Sequence, residues 1–430
     1  MESVKGKTPG RGRLTAVPLA VAYVAVPLGT AASHYTGGSG NVTPVAPWLL
    51  LAGLGTLSAM YRPRPGDAAS GGFFFKLAMF VLMLAGMVFY AADILSLVMP
   101  YLPYLKEFSP FVFLLFCGLW VSTMGMPDRA DFQRFGGLLG LFCVVDSVAE
   151  AAVYQSLPAI RWIGNADVLA AFLLVALCAG LKPGSNEGGC TEPDQGNRWW
   201  RLLTMLGLLL CLSRTGLFAA AWVVLCFGRG LFRWRLAYAI LCALLIGGSF
   251  FLPPSPSDAV RYTDYWLWVE AMRLAAEGHP FLFTGFPIDQ PLPVKFPVSM
   301  GAIWEAATGQ PAVLGVHLTE VPSFWLRLLF AWGLAVPLLL LLILFILLFR
   351  RLTRMGAGLV AALFAQGMTT PLIYDPAQAI AICLGFILAL SAPREYLSTR
   401  RESDEFIFDE EARSVESPDA SSDDWSLRPL

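Results

Sequence analysis

Charged residues are scarce in this chain of 430 residues. Asp, Glu, Lys and Arg make up 14% of it, whereas hydrophobic residues make up 56%. A soluble globular domain has about a quarter of its residues charged. The composition therefore argues against a soluble domain and predicts a polytopic membrane protein. The formal net charge of -1 gives no reason to expect a nucleic-acid partner.

Patterns that bind metals or form disulfide frameworks are also missing. The chain has eight cysteines and three histidines, but they form no C-x-x-C pair and no Cys/His spacing typical of zinc sites. We therefore expect no metal and no other cofactor. The first apolar run lacks a small-residue cleavage signature, which favours a first transmembrane helix over a removed signal peptide.

Long apolar runs dominate what is present. A hydrocarbon core of about 30 Å needs about 20 apolar residues per helix, and twelve runs come close to that length. They lie at 14–33, 45–61, 73–99, 108–126, 135–154, 163–181, 199–212, 216–227, 234–252, 324–349, 355–371 and 376–392. The predicted fold class is therefore all-α, a polytopic membrane protein with about twelve transmembrane helices and one large extracytoplasmic, partly helical loop.

The topology depends on the short runs 199–212 and 216–227, which could form two helices or one long helix. With two helices, the clusters of Lys and Arg between spans all face the cytoplasm, as the positive-inside rule expects. The predicted organisation is then helices 1–9 in residues 1–252, a periplasmic loop at 253–323 and helices 10–12 in 324–392. An acidic, Ser-rich tail at 393–430 is expected to be disordered and cytoplasmic, so both termini lie in the cytoplasm.

The loop is rich in aromatic residues and proline rather than in the residues typical of disorder. We therefore expect it to fold as a cap over a membrane site. Residues 262–276 fit an amphipathic helix with Tyr265, Trp268, Val269 and Met272 on one face. Such a helix is predicted to lie on the membrane surface.

Two arginines on the extracytoplasmic side are candidate phosphate ligands. Arg214 lies at a corner between two predicted spans. An ionisable group is costly there, which makes this arginine a functional candidate. Arg261 opens the loop helix, where the helix dipole disfavours a cation unless an anion binds there. Arginine suits bidentate phosphate recognition, so the pair fits a diphosphate, with Lys295 and Arg273 as weaker additions. The alternatives are a helix-end anchor at Arg214 and a surface ion pair at Arg261.

His317 is the candidate general base, because the ordinary pKa of histidine lies near neutrality. A lone histidine is more often structural, so its neighbours matter. Glu320, three residues on, could orient His317 or act in its place, and Asp375, between the last two spans, could also orient it. His279 precedes a proline and is expected to be structural.

Several of these segments occur together in a recognisable order. They are Gly164-Asn165-Ala166, LSRTGLFAAAWVVL from Leu212, Arg261 with a Trp-rich helix, HPFLFTGFP, and His317 followed by FWLRLLFAWGLAVP. This series, over roughly residues 162–392, resembles the O-antigen ligase and polymerase family of bacterial inner-membrane glycosyltransferases. The resemblance implies transfer of a glycan from undecaprenyl diphosphate to an acceptor sugar, without a metal. It also implies that Arg214 and Arg261 bind the diphosphate and that His317 activates the acceptor hydroxyl.

Three alternatives to a ligase stay open at this point: a polymerase, a transporter and a docking protein. A ligase would use an acceptor such as a lipid A core, whereas a polymerase would use a second lipid-linked glycan. A transporter or flippase of lipid-linked saccharides is less favoured, since no midplane series of charged residues is present. The exposed aromatic residues of the loop are also compatible with a protein that only docks a partner.

Overall fold

The computed structural model describes residues 14–35, 45–61, 72–91, 102–154, 166–181, 195–228, 231–251, 258–277, 281–308, 315–350 and 353–391. Within these residues the chain is mostly helical and contains no strand, apart from an isolated antiparallel bridge between Leu292 and Val316. The all-α prediction is therefore confirmed. The N-terminal basic segment, His279 and the acidic tail lie outside the described residues.

In the described part of the chain, ten α-helices precede residue 258. They are α1 Val17–Ala20, α2 Val26–Tyr35, α3 Ala46–Tyr61, α4 Gly72–Ala91, α5 Leu102–Met124, α6 Arg129–Tyr154, α7 Ala166–Ala179, α8 Gln195–Leu210, α9 Arg214–Phe227 and α10 Phe232–Ser249. A π-helical turn, Val21–Ala25, joins α1 to α2 without a break. Each of the first nine predicted runs therefore overlaps a helix.

The remaining elements form the cap and the last helices. They are α11 Asp258–Ala276, α12 Phe281–Thr284, α13 Val298–Thr308, α14 Phe324–Trp332, α15 Ala335–Arg350, α16 Arg354–Gly367 and α17 Pro376–Ser391, with 3₁₀ turns at Leu318–Glu320 and Leu372–Tyr374. We use "cap" for residues 258–323.

Three helical segments in the described residues are long and apolar enough to cross a membrane: Tyr104–Met124, Arg129–Ala149 and Phe232–Ser249. Seven further apolar helices are shorter. Large apolar side chains also lie on the outer surface of the bundle, for example Leu338 and Phe345 of α15, at 54% and 59% exposure. An exposed apolar surface of this extent is typical of a protein that faces lipid.

Helices α7 and α8 run antiparallel. Gly207 of α8 packs against Leu173 of α7, whereas Ala176 of α7 and Thr204 of α8 both lie beside Gly136. The residue number thus rises along α7 as it falls along α8. The glycines allow this close approach, because a side chain at Gly136 or Gly207 would collide with the neighbouring helix.

Helices α7 and α9, in contrast, run parallel. Gly216 near the start of α9 packs on Ala170 near the start of α7, and Cys178 and Val223, near their ends, both lie beside Gly358. It follows that α8 and α9 run in opposite directions. The structure therefore has two antiparallel helices here, and the alternative of one long helix is wrong.

The predicted single helix over 324–349 is also wrong, because the chain breaks at Gly333. Helix α14 ends at Trp332, Gly333 has a φ of 73°, and α15 begins at Ala335. Backbone groups at the break bond to the cap: Leu334 N donates to Leu282 O, and Phe286 N donates to Phe330 O, both at 2.6 Å. Groups freed by the break are thus satisfied by protein rather than by water.

The cap has its own hydrophobic cluster. Helix α11 contributes Leu267, Ala271 and Leu274, all buried. The aromatic face, which was predicted to lie on the membrane surface, keeps Tyr265 65% and Met272 40% exposed. A second, aliphatic stripe of α11 is buried because the rest of the cap and α14 pack against it.

Candidate functional site

The cap lies on one end of the helix bundle, which we call the cap end. The indole Nε1 of Trp268 donates to Met368 O at 2.7 Å, and Ser323 Oγ donates to Gly367 O at 3.1 Å. Phe324 N donates to Thr370 O at 2.9 Å. These bonds join the cap and the start of α14 to the C-terminal end of α16.

The corner between α8 and α9 lies at the same end. Ser213 caps α9 by accepting from Gly216 N at 2.9 Å. The hydroxyls of Ser213 and Thr215 both donate to Oδ1 of Asp167, the latter at 3.0 Å. Gln366 of α16 donates to the backbone carbonyl of Asp167 at 2.6 Å, so the corner is tied to the helix that carries the cap contacts.

Arg214 stands at the first position of α9 with its side chain exposed. Its Nε donates to Ser249 Oγ at 2.8 Å and Nη2 donates to Ser249 O at 3.2 Å, while the guanidinium lies 4.0 Å from the centre of the Phe250 ring. These contacts hold the planar group but leave further N–H donors. The position combines them with the positive end of a helix, which suits an anion.

His317 caps the 3₁₀ turn that contains Glu320. Its carbonyl accepts from Glu320 N at 2.9 Å, and its side chain is half-buried. The Nδ1 atom is buried with no hydrogen-bonding partner among the described residues. Buried polar atoms normally have a partner. This nitrogen is therefore placed to exchange a proton with a ligand or a water molecule.

Asp375 begins α17. One carboxylate oxygen accepts from Ala377 N at 2.9 Å and the other from Gln378 Nε2 at 3.2 Å. Burial raises the pKa of this carboxyl above its ordinary value. In the part of the chain that the structure describes, no hydrogen bond joins Asp375 to His317, so the predicted orienting role stays a prediction.

The other cations predicted to bind phosphate have different surroundings from those of Arg214. Arg261 lies in the first turns of α11, but its side chain is outside the described part. Lys295 is exposed. Arg273 bonds to Glu270 at 2.8 Å and to Glu277, so its guanidinium is already engaged by two carboxylates. Among the described residues, Arg214 has no hydrogen bond or ion pair to His317, Glu320 or Asp375.

Sequence reasoning missed a buried ion pair. Arg327 of α14 is 5% exposed and Glu107 of α5 is 0% exposed, and Arg327 Nε donates to Glu107 Oε1 at 2.7 Å. The guanidinium also donates to Thr319 O at 3.0 Å and lies 4.0 Å from the Tyr374 ring centre. Each charge lies near the end of an apolar run, which was the available signal, but nothing local indicates their pairing.

Asp167 was also missed, although it directly follows the Gly164-Asn165-Ala166 segment. An acidic residue at the start of an apolar run was the available signal. The described residues contain no group of three His, Cys, Asp or Glu side chains that could hold a metal ion. The expectation of metal-independent chemistry stays a prediction.

Comparisons with known proteins leave the family open. No protein-family model, no curated protein and no solved structure matches this chain. The resemblance to O-antigen ligases and polymerases thus stays a prediction that depends on the segments quoted above.

Proposed function

We propose that the protein is an O-antigen ligase-like glycosyltransferase of the bacterial inner membrane. It would move a glycan from undecaprenyl diphosphate to the hydroxyl of an acceptor sugar, such as a lipid A core. One observation carries the proposal: an exposed arginine at a helix N-terminus and a half-buried histidine with an unpartnered Nδ1 both belong to the cap end. This transfer requires an anion site and a proton acceptor on the same side of the membrane.

The proposed orientation has twelve crossings, the cap in the periplasm and both termini in the cytoplasm. Arginines cluster at the end of the bundle opposite the cap, which supports this orientation through the positive-inside rule. They are Arg129, Arg134, Arg198, Arg201, Arg233, Arg235 and Arg354. The donor's lipid would lie among the membrane lipids, with its diphosphate at the level of the cap.

The proposed reaction is an inverting displacement at the anomeric carbon. The acceptor oxygen forms a bond to that carbon as the bond to the diphosphate breaks, and the proton of the acceptor passes to His317. Arg214, assisted by Arg261, stabilises the negative charge that grows on the leaving diphosphate. Glu320, on the same turn, and Asp375 are the candidates that orient the imidazolium.

The test is a transfer assay with purified protein, an undecaprenyl-diphosphate-linked glycan and candidate acceptors, without divalent metal. His317→Ala should lower the turnover by about 10² to 10⁴, the usual contribution of a general base. Arg214→Ala should reduce transfer through weaker donor binding and leaving-group stabilisation. Arg235→Ala is the matched control, because Arg235 stacks near an aromatic ring and bonds a backbone carbonyl at the opposite end.

Two results would redirect the proposal. Wild-type turnover in His317→Ala would remove the general-base role. No covalent product with any acceptor, together with movement of the lipid-linked glycan across vesicles, would indicate a transporter. The length of the product separates the two acceptor classes, since a polymerase extends a lipid-linked glycan by repeat units.

A further inference from the structure

We propose that Arg327 is a positioning residue whose guanidinium, fixed by Glu107, sets the turn that carries His317 and Glu320. The inference rests on the proposed function, because it takes His317 as the proton acceptor. It adds two residues that the resemblance does not assign, one of which, Glu107, is distant from that turn in sequence.

The contacts of Arg327 join three elements. Its Nε and Nη2 both lie 2.7 Å from Glu107 Oε1 on α5. Its Nη1 donates to Thr319 O at 3.0 Å, two residues after His317. Its guanidinium carbon lies 4.0 Å from the Tyr374 ring centre. One buried side chain therefore holds the histidine turn against the bundle.

The charge of Arg327 makes this contact strong. A hydrogen bond from a cation to a carbonyl is roughly twice as strong as a neutral one, and the donating side chain is buried here. Arg327 can serve the carboxylate and the carbonyl together because its donors lie in a rigid, planar fork. Lysine has a single point of charge and cannot reproduce both contacts.

A buried ion pair could instead be purely structural. Removing one partner leaves an unpaired buried charge and destabilises any fold, so a loss of activity in Arg327→Ala would carry no information. The useful variant is the double substitution Glu107→Gln with Arg327→Gln, which removes both charges and keeps hydrogen-bonding groups. Arg327→Lys is the second variant, since lysine keeps the positive charge of the ion pair but lacks the planar set of donors that reaches both Glu107 and Thr319 O.

The readout is the reactivity of His317 itself. The chain has three histidines, so His34→Gln with His279→Gln leaves His317 as the only one. Carbethoxylation of His317 by diethyl pyrocarbonate is followed by mass spectrometry over a range of pH, in each variant and in Arg235→Gln as control. Melting temperature in detergent is measured alongside.

We expect His317 to react roughly tenfold faster in the double variant and in Arg327→Lys, because loss of a charge-assisted hydrogen bond opens the turn by about that factor. Arg235→Gln should react as the parent does. In the transfer assay, kcat should fall while the KM for the donor stays unchanged. Unchanged His317 reactivity in a folded double variant, or in a folded Arg327→Lys, would overturn the proposal.

The reactivity assay needs no substrate, so the two proposals fail separately. Faster labelling of His317 without any transferase activity in the parent would support the positioning role and count against the proposed reaction. If the variants are labelled at the parent's rate while the parent transfers glycan, the result would count against the positioning role and support the proposed reaction.

Discussion

At the scale of single residues, Asp375 provides a test of burial at the cap end. Its pKa is raised by burial, so the folded protein binds a proton more tightly than the unfolded chain. Stability from this residue is therefore present below the unfolded pKa of about 3.9 and is lost as the pH rises through the folded pKa. Asp375→Asn should flatten the pH dependence of the melting temperature in this window.

The substitution keeps the capping geometry, since an Asn oxygen can still accept from Ala377 N. Its amide can donate to Gln378, whose Oε1 is buried without a partner among the described residues. Asp375 is partly exposed, so we expect a modest effect. Melting curves in detergent at several pH values measure it, with Asp289→Asn, an exposed cap residue, as control. A steeper acid dependence in Asp375→Asn would contradict the assignment.

Arg214 and His317 were predicted from residue type together with position, because an ionisable group at membrane depth is costly and the ordinary pKa of histidine lies near neutrality. Their neighbours could not be predicted in the same way. Glu107 and Arg327 are separated by 220 residues, and their pairing depends on how α5 and α14 pack. A local pattern carries no information about such a distance, whereas the charge of each residue was visible at once.

At the scale of elements, the break between α14 and α15 is held by the cap. Gly333 has a φ of 73°, and a Cβ added there would lie 2.4 Å from Phe283 O. Gly333→Ala should therefore destabilise the protein by about 1 to 3 kcal/mol, the usual cost of a strained backbone position. It should also make the cap more sensitive to limited proteolysis, because the two backbone bonds to Leu282 and Phe286 weaken.

Gly247→Ala in α10 is the matched control, since nothing lies within 4 Å of an added Cβ there and the backbone is helical. It should leave the melting temperature and the cap's protease sensitivity unchanged. Equal destabilisation by both substitutions would indicate that the helices are generally sensitive to larger side chains. It would contradict the role of the cap in stabilising the break.

The helices of the bundle were predictable because continuous apolar runs encode them, and the antiparallel α8 and α9 followed from the distribution of arginine. The break at Gly333 and the buried face of α11 were not. Both are decided by tertiary contacts: backbone groups of the cap stabilise the break, and an aliphatic cluster in the cap buries Leu267 and leaves Tyr265 exposed. A single apolar period cannot distinguish burial in protein from burial in lipid.

At the scale of the whole molecule, the proposed orientation places the two ends of the bundle in different compartments. Ser249 contacts Arg214 at the cap end, and Arg233 lies at the other end of the same helix, about 24 Å away at 1.5 Å per residue. Single cysteines at Val298, 93% exposed in the cap, and at Arg233 report the two ends. The background carries Cys190→Ser and Cys226→Ser, because Cys190 lies in a polar stretch of the sequence and Cys226 is exposed, whereas the other six cysteines are buried.

A membrane-impermeant thiol reagent should label Val298→Cys in cells with a permeable outer membrane, and Arg233→Cys only after the inner membrane is opened. This outcome follows from the proposed orientation, in which a cluster of arginines resists translocation, so that the Arg233 end lies in the cytoplasm and the cap lies outside. Labelling of both positions in intact cells would mean that α10 does not cross the membrane. The reverse pattern would place Arg214 and His317 on the cytoplasmic side, away from the lipid-linked glycans that the proposed reaction requires.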